Sequence, residues 1–163
     1  MKMIVFLSAL FLSANVQAQL KSSVQCPDLN IDILGGTVNK KILPNSTAGQ
    51  IKFNIPCFTS FAEDSTTTGC GGNVMYRDKD VYFYTSRDYV EIGPAFKGTL
   101  SIPLMGAARN SLFKLLGAPQ MKDVSWDAFQ TQYGVLILYY NKEDKVNKIQ
   151  FSTQTANTIR LCE

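Results

Sequence analysis

Histidine is absent from all 163 residues, and that absence excludes more chemistry than any other feature of the chain. A serine or cysteine nucleophile most often takes its base from an imidazole, so Ser-His-Asp and Cys-His arrangements are ruled out. The usual zinc sites go with them, leaving thiolates as the only soft ligands. Charge is scarce as well: 16 basic against 13 acidic side chains give a net charge of +3, and the longest basic run is Lys40-Lys41. Nucleic acid binding therefore has no electrostatic footprint. No segment sets an apolar face against a Lys-rich one, as a membrane-surface helix would. Gly69, Gly71 and Gly72 lack the Walker spacing and the Gly-Lys-Ser that a phosphate loop needs. Neither a cofactor nor a metal is expected, and the chain is read as a non-enzyme.

What is present begins with Lys2, an apolar run over 3–12 and small residues at Val16 and Ala18. That is the layout of a signal peptide, whose apolar core is too short to span a bilayer. Residues 1–18 are expected to be removed. The remainder, 19–163, is then one exported domain of the periplasm or extracellular space, with no membrane insertion after cleavage and enough chain to bury a core. Four cysteines, Cys26, Cys57, Cys70 and Cys162, form an even set, which in an exported protein reads as a disulfide framework. The favoured pairing closes a local loop between Cys57 and Cys70 and ties the chain ends through Cys26 and Cys162. Three connectivities are possible, and spacing alone does not choose among them.

Hydrophobic periodicity points to an α+β fold, an antiparallel sheet with one or two short helices. Residues 29–34 alternate and meet Gly35-Gly36, as a strand ended by a turn does. Segment 46–55 is ambiguous: Ile51, Phe53 and Ile55 alternate as a strand would, but Asn45, Ser46 and Thr47 as capping candidates, Pro56 as a stop, and Ile51 and Ile55 on one face favour a short helix. Residues 58–68 read as a polar loop. Beyond them Val74 and Tyr76 share a face, 77–80 turns, and Val81 and Phe83 return: a hairpin. Strands are expected at 88–92 and 98–102. A helix over 107–116 should bury Leu112, Phe113, Leu115 and Leu116 while Arg109, Asn110 and Lys114 face out, with Gly117 and Pro119 ending it. Strands follow at 125–133, at 135–140 (apolar on both faces, hence interior), at 146–153 and at 159–162. The halves 27–102 and 103–163 share an order of helix, proline, loop, glycine and charged-turn hairpin, which fits two tandem α/β-hairpin repeats and equally fits the ordinary reuse of such parts in an antiparallel α+β domain. Gly72 with NVMY-RDKD-VYFY is matched in that reading to Gly134 with VLILYY-NKEDK-VNKIQF.

The second half carries LFKLLG at 112–117, then Ala118-Pro119, Trp126, Tyr133-Gly134, VLILYY and KVNKIQFS. This succession resembles the small envelope domains of the β-lactamase-inhibitor-protein type, shared with the outer-membrane assembly lipoproteins called SmpA or OmlA. The likeness covers roughly 106–153. It implies a non-catalytic binding scaffold, and the two units that such inhibitors carry in tandem would match the two halves. Ser23-Val24-Gln25 ahead of Cys26 is not the small-residue run that a lipoprotein needs. An inhibitor or immunity-like protein that holds a protein partner is the leading expectation, and an envelope assembly protein is the alternative.

Two sets of side chains bear on a site. Glu63 with Asp64, Asp78 with Asp80, and Asp123 with Asp127 are the pairs that could serve a carboxylate-dependent wall hydrolase, although acids in a hairpin turn are commonly just solvated. The other set is aromatic. Tyr82, Tyr84 and Tyr89 should point away from Val81, Phe83, Val90 and Ile92, sharing one sheet face with Met75 and Arg77. Such a mixture is enriched in protein interfaces. Alternation does not tell whether a helix covers that face.

Overall fold

The computed structural model describes residues 26–63 and 71–162; residues 1–18, read above as a signal peptide, and Asp64 and Cys70 lie outside the described residues. The fold is α+β. Among the described residues, eleven strands and two short helices form a large antiparallel sheet with a layer of helices and a small sheet against one face.

The small sheet joins β1 (Asn30–Asp32) to β2 (Thr37–Val38) and, in parallel, to β7 (Thr99–Leu100). Helix α1 spans Ala48–Asn54. It starts in a reciprocal cap: the Thr47 hydroxyl accepts from the Gln50 amide at 3.3 Å, and the Gln50 side chain accepts from the Thr47 amide at 2.9 Å, so two orphan donors of the first turn are satisfied. Ile51 and Ile55 are buried and Phe53 is exposed, as the helical spacing predicts.

The large sheet has eight strands: β3 (Ser60–Ala62), β4 (Asn73–Tyr76), β5 (Val81–Tyr84), β6 (Tyr89–Ile92), β8 (Met121–Lys122), β9 (Trp126–Gln130), β10 (Val135–Tyr140) and β11 (Val146–Ser152). Helix α2 covers Arg109–Leu116 and ends on Gly117 at φ 78°, a backbone state that glycine enters without penalty. Spatial order is β3-β4-β5-β6-β11-β10-β9-β8. Each half of the chain is thus a helix followed by a four-strand meander, and the two meanders meet where β6 pairs with β11.

Several expectations change. The segment read as a polar loop contains β3, and 98–102 supplies only β7, which leaves the large sheet for the small one. Residues 159–162 form no strand. In α2 only Leu112 is fully buried, with Leu116 partly so; Phe113 and Leu115 are exposed because the helix rests on its i, i+4 stripe alone. The palindromic order also shifts the internal match by one strand. In topological terms β5–β6, not β4–β5, corresponds to β10–β11.

The main core joins Val74, Tyr76, Phe83, Ile92, Leu136, Phe151 and their neighbours on the inner sheet face to Ile31, Val38, Ile51, Leu104 and Leu112 from the covering layer. The opposite face carries a smaller cluster of Ala128, Val135, Ile137 and Ala156. Strand β10 is consequently buried on both faces, as its unbroken apolar run requires. Gly134, at φ 152°, lies so close to the Ser152 carbonyl that a Cβ would collide with it. Beside it the Tyr133 ring packs over Gly36 while its hydroxyl donates to the Ile33 carbonyl at 2.9 Å, pinning the β1–β2 turn to the large sheet.

A disulfide links Cys26 to Cys57, with Cα atoms 5.6 Å apart. This overturns the expected pairing of Cys57 with Cys70 and of Cys26 with Cys162. The capped helix α1 folds Cys57 back beside the entry to β1, and sequence separation gave no sign of that. Cys162 is disulfide-bonded too; its partner lies outside the described residues.

Candidate functional site

Three of the paired carboxylates, Asp80, Asp123 and Asp127, have structural occupations. Asp127, on the inner face of β9, is wholly buried and takes both Nε (3.0 Å) and Nη2 (2.5 Å) of Arg109. It also accepts the Tyr140 hydroxyl at 2.8 Å. Arg109 was expected to face solvent. Instead it reaches from the first turn of α2 across the Tyr140 ring, 4.6 Å from its centroid, and donates to the carbonyls of Asp123 and Val124 as well. The hydrogen bond to Asp127 is the main reason its pKa is raised further. Asp123 spends its carboxylate on the Val124 amide. Asp80 adopts φ 58° at the end of the β4–β5 turn and accepts from the Ala95 amide at 2.7 Å and the Tyr82 hydroxyl at 3.0 Å. Asp78 and Glu63 are exposed. Among the described residues no group of three or more acidic or cysteine side chains could hold a metal ion.

The outer face of the large sheet is where the remaining polar and aromatic side chains gather. Cross-strand register aligns Ser60, Met75, Tyr82, Glu91, Gln150, Ile137 and Ala128 in one row. Tyr84 stands opposite Tyr89 in the next row, their rings stacked 4.5 Å apart. Met75, Tyr82 and Tyr84 are partly exposed and Arg77 is exposed, its Nη2 lying 3.8 Å from the Met75 sulfur. Burial raises the pKa of the Tyr82 and Tyr84 hydroxyls, helped by Asp80 at the first and by Glu91 at both.

Tyr89 departs from the expected patch. It is fully buried, covered by the chain end rather than by a helix. Its hydroxyl accepts from the Cys162 amide at 3.1 Å. The face is therefore divided, with Met75, Arg77, Tyr82 and Tyr84 open at one end and the other end roofed by residues 156–161. Between them runs a relay in which the Tyr139 hydroxyl donates to Gln150 Oε1 (2.8 Å) and Gln150 Nε2 donates to Glu91 Oε2 (2.6 Å). Lys148 completes it, 3.7 Å from the same carboxylate oxygen and 4.1 Å above the Tyr139 ring.

Under the roof lies a recess of about 440 Å³ lined by Trp126, Ala128, Ile137, Tyr139, Ala156, Ile159, Leu161, Met121 and Ser125. Nothing in the sequence pattern pointed to the recess, because the roof comes from a segment of irregular structure. No family model, curated protein or solved structure matches the chain.

Proposed function

We propose that this chain is an exported binding protein that catalyses nothing and holds a protein partner on the open end of its outer sheet face, in an inhibitor or immunity-like role. The observation that carries the reading is the cluster of Met75, Arg77, Tyr82 and Tyr84. These side chains project from β4, the turn after it and β5, partly or fully open to solvent, and Tyr, Met and Arg are the types that anchor interfaces. Tyr82 is tied to Asp80 by its hydroxyl and Tyr84 is stacked on Tyr89, so these two rings have less side-chain entropy to lose on binding. Occupied carboxylates favour binding over hydrolysis, since Asp127 and Asp80 are committed to holding the fold. Export is supported by the Cys26–Cys57 disulfide, which persists in oxidising compartments. Among the described residues no helix is long and apolar enough to cross a membrane.

The test is comparative capture from envelope extract with the oxidised chain and with its Tyr82→Ala/Tyr84→Ala double variant. A stoichiometric partner held by the first should be lost by at least about tenfold in affinity with the second, as expected when hot-spot rings are truncated, while the melting temperature changes little. Equal capture by both would reject the patch, and a collapse in melting temperature would assign the tyrosines to the core.

A further inference from the structure

The recess beneath the chain end is a different feature from the open tyrosine patch and does not depend on it. Its floor is the outer face of β9 and β10, where Trp126 and Tyr139 are directly opposed in the register and Ala128 opposes Ile137. Its roof is the irregular segment that carries Ile159 and Leu161. That roof is held in three ways. A turn closes on itself through the Thr158 and Ile159 amides donating to the Thr155 carbonyl at 3.1 and 3.0 Å, the Tyr89 hydroxyl accepts the Cys162 amide, and Cys162 is crosslinked. The cavity is therefore pre-formed, and its volume of about 440 Å³ falls within the range of small-molecule sites, roughly 300–1,000 Å³.

The lining specifies the ligand class. None of the described lining residues is charged, and Lys148, whose Nζ stands 4.1 Å over the Tyr139 ring, is already paired with Glu91 at 3.7 Å, so an ionised ligand would find no unpaired charge to compensate its desolvation. Two aromatic rings side by side favour a flat, apolar guest that stacks or meets them edge-on. Ser125, at the wall, is the one lining residue with an aliphatic hydroxyl to offer a polar substituent. We propose that the recess is a binding site for a neutral aromatic small molecule, seated between Trp126 and Tyr139 on the sheet and Ile159 and Leu161 on the roof.

Trp126 is the sole tryptophan of the chain, so it reports on its own site. The oxidised full chain is titrated with the neutral probe N-phenyl-1-naphthylamine, exciting the indole and reading energy transfer to the probe. Saturable transfer at one probe per chain is the expected result. Ala128→Phe fills the cavity from the floor and Ala156→Leu from the roof, and each should weaken binding by about tenfold or more, equivalent to 1.4 kcal/mol. Two variants from opposite walls guard against either one failing to fold, which the unfolding midpoint reports. Arg77→Ala, at the open end of the face and without contact to Tyr89, should leave probe binding unchanged. Absence of saturable transfer, several probes per chain, or binding lost only in the Arg77 variant would each overturn the assignment. This readout needs no protein partner, so its failure and the failure of the partner reading are separable.

Discussion

Each nitrogen of the Arg109 guanidinium donates to the β9 region, whether to Asp127, to a backbone carbonyl, or to both. Buried charge of this kind is costly to strip: removing one partner leaves the other desolvated and unpaired, at roughly 3–5 kcal/mol. Arg109→Ala should therefore lower stability by about that amount in urea unfolding. Asp127→Ala in the Arg109→Ala background should then cost much less than it does alone, because the two residues act as one unit. Additive losses would mean that the guanidinium is held chiefly by the carbonyls. Asp80, Asp88 and Asp144 show a second use of acids. All three adopt positive φ, at 58°, 52° and 53°, a region that aspartate tolerates better than most residues, and each closes a turn leading into β5, β6 or β11.

Elements in this fold are short, and what fixes them lies mostly outside them. Helix α1 has seven residues, too few to persist alone in water. It is held by its cap, by burial of Ile51 and Ile55, by the Tyr76 hydroxyl donating to the Ile55 carbonyl at 2.6 Å, and by the crosslink just after it. The Cys26–Cys57 bridge spans 31 positions, and by loop entropy it contributes roughly 3–4 kcal/mol. Mass mapping of the unreduced chain should return Cys26 joined to Cys57, and Cys70 joined to Cys162 as the two thiols that remain. A Cys57–Cys70 peptide would contradict the fold around α1. Strand β3 shows the same dependence on surroundings: three residues with no strong alternation pair with β4 because the edge of the meander is there to receive them.

At the scale of the molecule the sheet buries phenols. Burial raises the pKa of Tyr76, Tyr89, Tyr133 and Tyr140 above the ordinary value of 10. Above that pH the unfolded chain has released protons that the folded chain still holds, so stability must fall as pH rises, by about 1.4 kcal/mol per pH unit for each such phenol. A spectrophotometric titration should accordingly show these four ionising together with alkaline unfolding, and smooth independent titration from pH 10 would refute their burial. Much of this architecture was legible in advance. Periodicity sufficed for the β4–β5 hairpin, for the span of α2 and for β10 as a doubly buried strand, while for α1 it fitted strand or helix and the capping residues before it favoured the helix, since these depend on local alternation and capping that the chain carries in itself. The same alternation placed Tyr82, Tyr84, Met75 and Arg77 on one sheet face. It could not expose them or cover Tyr89, because cover is supplied from far along the chain, by a segment ending at Cys162. Disulfide partners, the pairing of Arg109 with the buried Asp127 and the recess beside Trp126 were decided the same way. Each depends on which distant surfaces come within a few ångströms once the two meanders join at β6 and β11, and a linear pattern holds no record of that distance.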